Sequence, residues 1–304
     1  MQKNFININK LNEQISQDLD LLIKHDEKYF ASQIEELVDT IDSNDIDEKV
    51  ILIAGPSCAG KTTFAKMLKN RLVEKGYDII NIEMDNFFID RDKRPRLPSG
   101  EEDFESLNIV DLDVLEDCFK RLFKNKTVLF PRYDFKQGIS LKDQLEITLG
   151  KKSVIIFEGI HVLNPKLYNR LHTGAMFKIF LENCEGYTSD AGDLDKTQVR
   201  FIRRMVRDNE RRNFPPRETL KIWDNVQKAA EEYIFPFEKE ADFVINTSHP
   251  YELGLYKNNI EKLIEEDEGL LSDIPYLKVA LEVQNIDETH CPEETLMWEF
   301  VEKP

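Results

Sequence analysis

The segment Ile51–Leu68, ILIAGPSCAGKTTFAKML, constrains the fold of this chain more than any other part of the sequence. An apolar run that is typical of a buried strand leads into a glycine-containing loop, and an amphipathic helical pattern follows the loop. The pattern G-x-x-x-x-G-K-[ST] is matched there by Gly55, Gly60, Lys61 and Thr62. Because strand, loop and helix occur in the order that this motif requires, we predict a phosphate-binding loop rather than a chance glycine-rich turn.

The residue types of this loop explain how it would hold phosphate. The glycines allow backbone N–H groups to turn inward around a phosphate, at the positive end of a helix dipole. Lys61 supplies a charge within reach of the β- and γ-phosphates of a nucleotide, and the hydroxyl of Thr62 is placed to bind Mg²⁺.

The rest of the chain alternates short apolar runs with helical patterns. We predict strands at Val50–Ala54, Ile79–Met84, Thr127–Phe130, Val154–Phe157, Met176–Leu181 and Phe243–Ile245. We predict helices at about 10–41, 62–75, 111–123, 197–211 and 251–266. Strands that are apolar throughout and are separated by helices predict an α/β fold, with a parallel sheet covered on both faces. The alternating segment Ile139–Leu149 predicts a small hairpin or an edge strand.

These patterns divide the chain into an N-terminal helical segment with a connector (1–49), a phosphate-loop domain (50–250) and a C-terminal helix with a tail (251–304). We expect the tail to pack on the phosphate-loop domain. Its segment EETLMWEF contains large apolar residues, which leaves packing against a neighbouring subunit as the alternative.

Composition excludes several classes of protein. The formal net charge of −17 disfavours nucleic-acid binding, which requires a basic face. No apolar run approaches the roughly 20 residues that a membrane helix needs, and the polar first residues predict no signal peptide. The 4 cysteines lack paired spacing, which is typical of a cytoplasmic protein without disulfides or a zinc site. We expect a small-molecule substrate and leave homo-oligomer formation open.

Two acidic residues stand at the ends of predicted strands. Asp85 lies in IINIEMDNFF, and Glu158 lies in VIIFEGIH. In an open parallel sheet, ligands bind at the carboxyl ends of the strands. Both carboxylates would therefore face the phosphate loop, one as a proton acceptor and one on the metal side. The alternative is that each carboxylate only caps the next helix or starts a turn.

The predicted helix TQVRFIRRMVRDNERR has an arginine stripe opposite an apolar face. The stripe consists of Arg200, Arg203, Arg204, Arg207 and Arg211. A charged stripe is often only a solvated surface. This one contains arginine alone, in a strongly acidic chain, and the guanidinium group suits forked recognition of phosphate. We therefore predict that the stripe binds phosphate groups.

The segments GPSCAGKTT, MDNFF, EDFES, PRYDF, FEGIHVLNP and RFIRRMVRDNERR together resemble the uridine kinase and phosphoribulokinase-like family of phosphate-loop kinases. The resemblance covers roughly residues 50–264. Within the family, EGIHVLNP and IFPFEKEADFVINTSHPYEL are similar to a bacterial nucleoside-kinase branch, in which a domain shared with threonyl-tRNA synthetases often precedes the kinase domain. The 49 residues before the loop domain are too short for that extra domain.

The resemblance implies a doubly wound sheet of the P-loop NTPase type, nucleoside/nucleotide kinase-like, with a small β-hairpin insertion. It implies phosphoryl transfer from ATP, with Mg²⁺, to the 5′-hydroxyl of a uridine- or cytidine-type nucleoside. Asp85 would be the general base, Lys61 and Arg204 would be catalytic, and Thr62, Glu158 and Asp85 would lie at the metal. The residues matched to ATP binding are Gly55, Pro56, Ser57, Cys58, Ala59, Gly60, Lys61, Thr62, Thr63, Arg203 and Arg207. Those matched to the acceptor are Phe104, Glu105, Tyr133, Phe135, Arg200 and Arg211.

The sequence departs from the family pattern at three residues, of which Glu105 and Gly138 bear on the acceptor. Uridine kinases usually have Asp at the position of Glu105, His at Gly138 and Asp at Gln198. Because Gly138 offers no side chain to read a base, we expect weak discrimination between uridine and cytidine. The aromatic pair Tyr133 and Phe135 would stack on a base or belong to the core. A kinase of another small alcohol, such as a sugar phosphate or a pantothenate-like molecule, remains an alternative, as does a nucleotide-dependent switch or binding protein.

Overall fold

The computed structural model describes residues 4–43, 49–96, 100, 103, 105–173 and 175–304. The described strands are β1 (Asn4–Asn7), β2 (Lys49–Ala54), β3 (Asp78–Glu83), β4 (Thr127–Asp134), β5 (Ile139–Thr148), β6 (Ser153–Glu158), β7 (Met176–Glu182), β8 (Glu185–Ser189), β9 (Gly192–Leu194) and β10 (Phe243–Asn246). The described helices are α1 (Ile8–Asp42), α2 (Lys61–Glu74), α3 (Leu112–Asn125), α4 (Pro165–Tyr168), α5 (Lys196–Arg212), α6 (Pro216–Tyr233), α7 (Glu252–Glu266), α8 (Leu270–Asp273) and α9 (Leu277–Leu281).

The central sheet has five strands in the order β10–β7–β2–β6–β3, and each pairing within it is parallel. Successive side chains of β2 enter opposite cores. Ile51 and Ile53 pack in the core that contains the apolar faces of α1, α2, α5 and α7, whereas Val50 and Leu52 pack in the core on the α3 side. Burial on both faces explains why these strands are apolar throughout. The predicted α/β fold, with a doubly wound parallel sheet, is confirmed.

The predicted strand Thr127–Phe130 lies outside the parallel sheet. It forms the first part of β4, which pairs with β5 in an antiparallel hairpin. The predicted β-hairpin insertion is therefore present. One of its two strands, β4, contains a segment that the apolar pattern had assigned to the parallel sheet. A second small sheet, β1–β8–β9, and the long helix α6 were not predicted as elements.

The N-terminal segment packs on the same core as the phosphate-loop helix. Helix α1 begins after Asn7, whose side chain accepts a hydrogen bond from the backbone N–H of Lys10. It contains one non-helical residue, Asp18, and buries its apolar face against the core around α2. Of the predicted connector, residues 44–48 lie outside the described residues. No helix in the described part of the chain is both long and apolar enough to span a membrane.

The C-terminal tail packs over the core. After α9, the chain forms a short 3₁₀ turn at Leu296–Glu299. The side chains of Leu296, Met297, Phe300 and Val301 are almost completely buried in the core that also contains α2. This segment therefore lies against the helix that follows the phosphate loop.

Candidate functional site

The phosphate loop connects β2, the central strand of the sheet, to α2. Gly55 approaches the neighbouring strand closely, since a Cβ atom on it would lie 2.5 Å from the carbonyl oxygen of Leu181. Gly60 has a φ of 89° and forms the N-cap of α2. The ammonium group of Lys61 donates hydrogen bonds to the carbonyls of Gly55 (2.9 Å) and Pro56 (3.1 Å). The loop thus has the backbone shape that a phosphate cradle requires, with its lysine turned into it.

Two carboxylates come close to this loop. Glu158 ends β6, as predicted, and its Oε2 accepts a hydrogen bond of 3.2 Å from the hydroxyl of Thr62. Asp85 lies in a 3₁₀ turn, Met84–Phe87, directly after β3. The strand ends at Glu83, before the predicted end at Met84. Burial raises the pKa of Asp85 to about 6 and that of Glu158 to about 7, and the charge of Lys61 opposes both shifts.

A third carboxylate shares this electrostatic environment. Burial raises the pKa of Glu105 to about 7, while Arg204 and Lys61 lower it and the nearby charge of Asp85 raises it. The backbone N–H of Glu105 donates to the carboxylate of Asp103, which fixes this turn. Phe104, the other residue expected in this segment, lies outside the described residues. Asp85, Glu105 and Lys61 are therefore close enough to act on one another's charges.

The arginine stripe of α5 faces the phosphate loop. Arg200 and Arg203 are buried, and their guanidinium groups donate to the backbone carbonyls of Ser57 and Cys58, each at 3.4 Å. Arg204 donates to the hydroxyl of Ser57 at 3.0 Å. The helix begins with a capping box between Asp195 and Gln198, which gives a local reason for glutamine at that position.

Several arginines of the stripe already have partners within the protein. Arg203 is completely buried and forms a two-point ion pair with Glu252, with distances of 2.6 Å and 2.9 Å. Arg207 pairs with Asp208, and Arg211 donates to the backbone carbonyls of Trp298 and Val301 in the tail. These partners differ from the ATP and acceptor contacts that the resemblance implies for the three arginines.

Three aromatic rings lie beside the Asp85 turn. The ring centroid of Tyr133 is 5.6 Å from that of Phe88 and 5.1 Å from that of Phe135. The guanidinium of Arg94 lies over the rings of both Phe88 (5.2 Å) and Tyr133 (5.1 Å). Tyr133 is 4% exposed, and its hydroxyl has no hydrogen-bond partner among the described residues, whereas Phe135 is 57% exposed. Tyr133 is thus a core residue, whereas the ring of Phe135 is accessible to a ligand.

The structure gives a reason for glycine at position 138 that the comparison with the family pattern did not reveal. It lies in the turn between β4 and β5 with a φ of 71°, where residues other than glycine are strained. A Cβ atom there would lie 3.0 Å from both Cβ and Nε of Arg91. The side chain of Arg91 therefore occupies the space that a histidine at this position would enter.

The sequence analysis missed two arginines near the candidate base. Arg94 and Arg212 both lower the pKa of Asp85, so both are close enough to stabilise its charged form. Arg212 was visible in the arginine-rich run, but it lies off the side of the helix that defined the stripe. Arg94 follows a short, charged 3₁₀ turn, Arg91–Lys93, that carries no motif, and only the fold brings it to the site.

Comparisons with known proteins agree with this architecture. A family model described as "Phosphoribulokinase / Uridine kinase family" matches residues 50–252. Uridine kinase-like protein 5 of Arabidopsis thaliana is 30% identical over 198 residues, which are 64% of this chain and 38% of that protein. A uridine kinase of Chlamydia pneumoniae is 29% identical over 227 residues, 72% of this chain and 93% of that enzyme.

Among solved structures, a possible uridine kinase from Bacillus stearothermophilus aligns with a TM-score of 0.50 and 21% identity, over 71% of this chain and 98% of that one. At this identity the likeness supports the fold alone, which is that of P-loop kinases. The family match covers more than half of the chain. This chain therefore belongs to the phosphoribulokinase and uridine kinase family, and it is a phosphotransferase.

Proposed function

We propose that this protein transfers the γ-phosphoryl group of ATP to the 5′-hydroxyl of a nucleoside of the uridine or cytidine type. The observation that carries the proposal is the position of Asp85, a half-buried carboxylate that shares one electrostatic environment with the phosphate-loop lysine. A base whose pKa is raised toward neutrality is suited to accept a proton during the reaction. The uridine kinases among the relatives support the nucleoside as acceptor.

In this mechanism the acceptor hydroxyl attacks the γ-phosphorus, its proton passes to a carboxylate oxygen of Asp85, and ADP leaves. Phosphoryl transfer requires positioning and neutralisation of charge more than covalent chemistry from the protein. Lys61 and Arg204 both contact the loop, and both lower the pKa of the nearby Glu105. They would stabilise the charge that develops on the transferring group.

The residues at the loop fit a magnesium ion. Among the described residues, no group of three or more His, Cys, Asp or Glu side chains is arranged to hold a metal. Mg²⁺ in kinases is commonly held by one or two protein oxygens together with nucleotide phosphates and water, so a larger cluster is not required. The hydroxyl of Thr62 and the carboxylate of Glu158, 3.2 Å apart, supply such oxygens. A bound Mg²⁺ would neutralise phosphate charge.

A kinase of another small alcohol is the second candidate. The observation that favours it is Arg94, whose guanidinium lies over the rings of Phe88 and Tyr133. A cation on that surface suits an acceptor with an anionic group, such as a sugar phosphate, better than an uncharged base. A nucleotide-dependent switch is a weaker candidate, because it gives no role to a carboxylate at Asp85.

Several finer assignments also belong to this proposal. Three of them are supported by sequence patterns: membership of the nucleoside-kinase branch that is often fused to a synthetase-like domain, a cytoplasmic location, and the absence of nucleic-acid or membrane partners. The same holds for the acceptor roles of Phe135, Arg200 and Arg211.

The experiment is a screen of ATP consumption against nucleosides, sugars, sugar phosphates and pantothenate-like alcohols, with Lys61→Ala as a control for enzyme-dependent transfer. We expect uridine and cytidine to stimulate ATP consumption and to appear as their 5′-monophosphates. Stimulation by a phosphorylated sugar, with no response to any nucleoside, would favour the second candidate. ATP hydrolysis that no alcohol stimulates would contradict a kinase of small alcohols.

A further inference from the structure

The C-terminal strap, defined here as residues 295–301, reaches the first turn of the phosphate-loop helix. The carboxylate of Glu299 accepts a hydrogen bond of 3.0 Å from the backbone N–H of Thr63. This N–H is one of the amides that the first turn of α2 leaves without an intrahelical partner. In phosphate-loop proteins, such amides after the Gly-Lys pair bind nucleotide phosphates.

The strap also covers the loop itself. Leu296 packs on Gly60, since a Cβ atom on this glycine would lie 2.8 Å from Cδ1 of the leucine. The charge of Glu299 raises the pKa of both Lys61 and Glu158, so the carboxylate acts on the same groups that would meet the phosphates and the metal. The strap lies beyond residue 252, where the family match ends.

We propose that this strap is autoinhibitory. The carboxylate of Glu299 accepts from the Thr63 amide, which a nucleotide phosphate also needs, so Glu299 must leave this amide when the nucleotide binds. A carboxylate and a phosphate are both anions that helix N-termini stabilise, and they cannot accept from the Thr63 amide together. Side by side they would also repel each other. The inference rests on nucleotide binding at the phosphate loop and does not depend on the identity of the acceptor.

The contacts that hold the strap show how its release can be controlled. Arg211, at the end of the arginine helix, donates to the carbonyls of Trp298 and Val301, and the hydroxyl of Thr295 donates to Glu27. The ring of Phe300 lies under the guanidinium of Arg203, 4.8 Å away. The Arg211 side chain is exposed, whereas Thr295 and Phe300 are almost completely buried. Release would therefore open the 298–299 turn and its backbone hydrogen bonds to Met297, while the side chains of Thr295 and Phe300 stay docked.

The test compares the affinities of ATP and adenosine for the wild type and for Glu299→Gln. Removing the charge should tighten ATP binding by about tenfold, the scale of one charge-assisted hydrogen bond. Adenosine has no phosphate to compete with Glu299, so its affinity should stay within about twofold. Glu293→Gln is the matched control, because it removes a charge from the exposed ion pair with Lys303 in the same part of the chain.

Hydrogen exchange gives a second readout in the wild type. The amides of Phe300 and Val301 donate to the carbonyl of Met297, and saturating ATP should accelerate their exchange. Equal ATP affinity of the wild type and Glu299→Gln would overturn the autoinhibitory role of the strap. ATP-induced protection of these amides would overturn it too. Both results would leave the proposed kinase activity intact. Failure of both proteins to bind ATP would overturn nucleotide binding at the loop, and the strap with it.

Discussion

Replacement of Arg203 by methionine should destabilise the protein severely. The guanidinium and its partner Glu252 are 0% and 1% exposed, and two hydrogen bonds of 2.6 Å and 2.9 Å join them. Arg203 also donates to the carbonyl of Thr247 at 2.6 Å. Arg203→Met leaves a buried carboxylate without its cation, which costs about 3–5 kcal/mol in comparable pairs. That is a large part of the 5–15 kcal/mol that typically stabilises a native protein.

Urea unfolding followed by circular dichroism measures this loss. The double variant Arg203→Met/Glu252→Leu should recover part of it, because no unpaired charge is then buried. Arg121→Met, which breaks an ion pair with Asp117 whose arginine side chain is 45% exposed, is the matched control and should cost less than about 1 kcal/mol. If Arg203→Met unfolded like the wild type but lost ATP affinity, the arginine would be a nucleotide ligand and the structural account would be wrong.

Three further predictions concern charges at and away from the site. Glu158→Gln should raise the Mg²⁺ concentration needed for half-maximal activity, with little change at saturating Mg²⁺; an unchanged magnesium titration would contradict its metal role. Burial raises the pKa of Asp85 to about 6, and a base acts only when deprotonated, so kcat/KM should fall about tenfold per pH unit below that value; a flat profile between pH 4.5 and 6 would count against this base. Burial raises the pKa of Asp26 to about 8, so the stability that its neutral form contributes is complete at low pH and is lost as pH rises through that value. Asp26→Asn should therefore exceed the wild type in stability by about 1–3 kcal/mol at pH 9 and match it near pH 4, measured by urea unfolding; an equal difference at both values would refute the titration.

The phosphate loop and its carboxylates were predictable because their signals are local. Strand, loop and helix around Lys61 are contiguous in sequence, and the rule that ligands bind at the carboxyl ends of parallel strands extends this to Asp85 and Glu158. The long apolar strands were predictable for the same reason, since burial on both faces leaves a continuous apolar run. Thr127–Phe130 shows the limit. One face of this hairpin strand is exposed, but the exposed Leu129 is as apolar as its buried neighbours Val128 and Phe130, so the run resembles a fully buried strand.

The parts that sequence reasoning missed depend on contacts between distant segments. A helical wheel placed Arg203 on the stripe, but it contains no information that Glu252 and the ring of Phe300 would enclose the guanidinium. Likewise, no motif connects Glu299 to the amide of Thr63, which is far away in sequence. The fold alone determines which neighbour a side chain meets, and that neighbour decides whether an arginine binds a ligand or the protein itself.

The measurement that tests the central claim most directly is the acceptor-dependent rate of phosphoryl transfer by Asp85→Asn. The substitution is nearly isosteric and removes only the base. We predict a fall in kcat of about 10²–10⁴-fold, the range for a positioned general base, with an unchanged dissociation constant for ATP. A variant that kept the wild-type rate of transfer would contradict the assignment of Asp85 and the mechanism built on it.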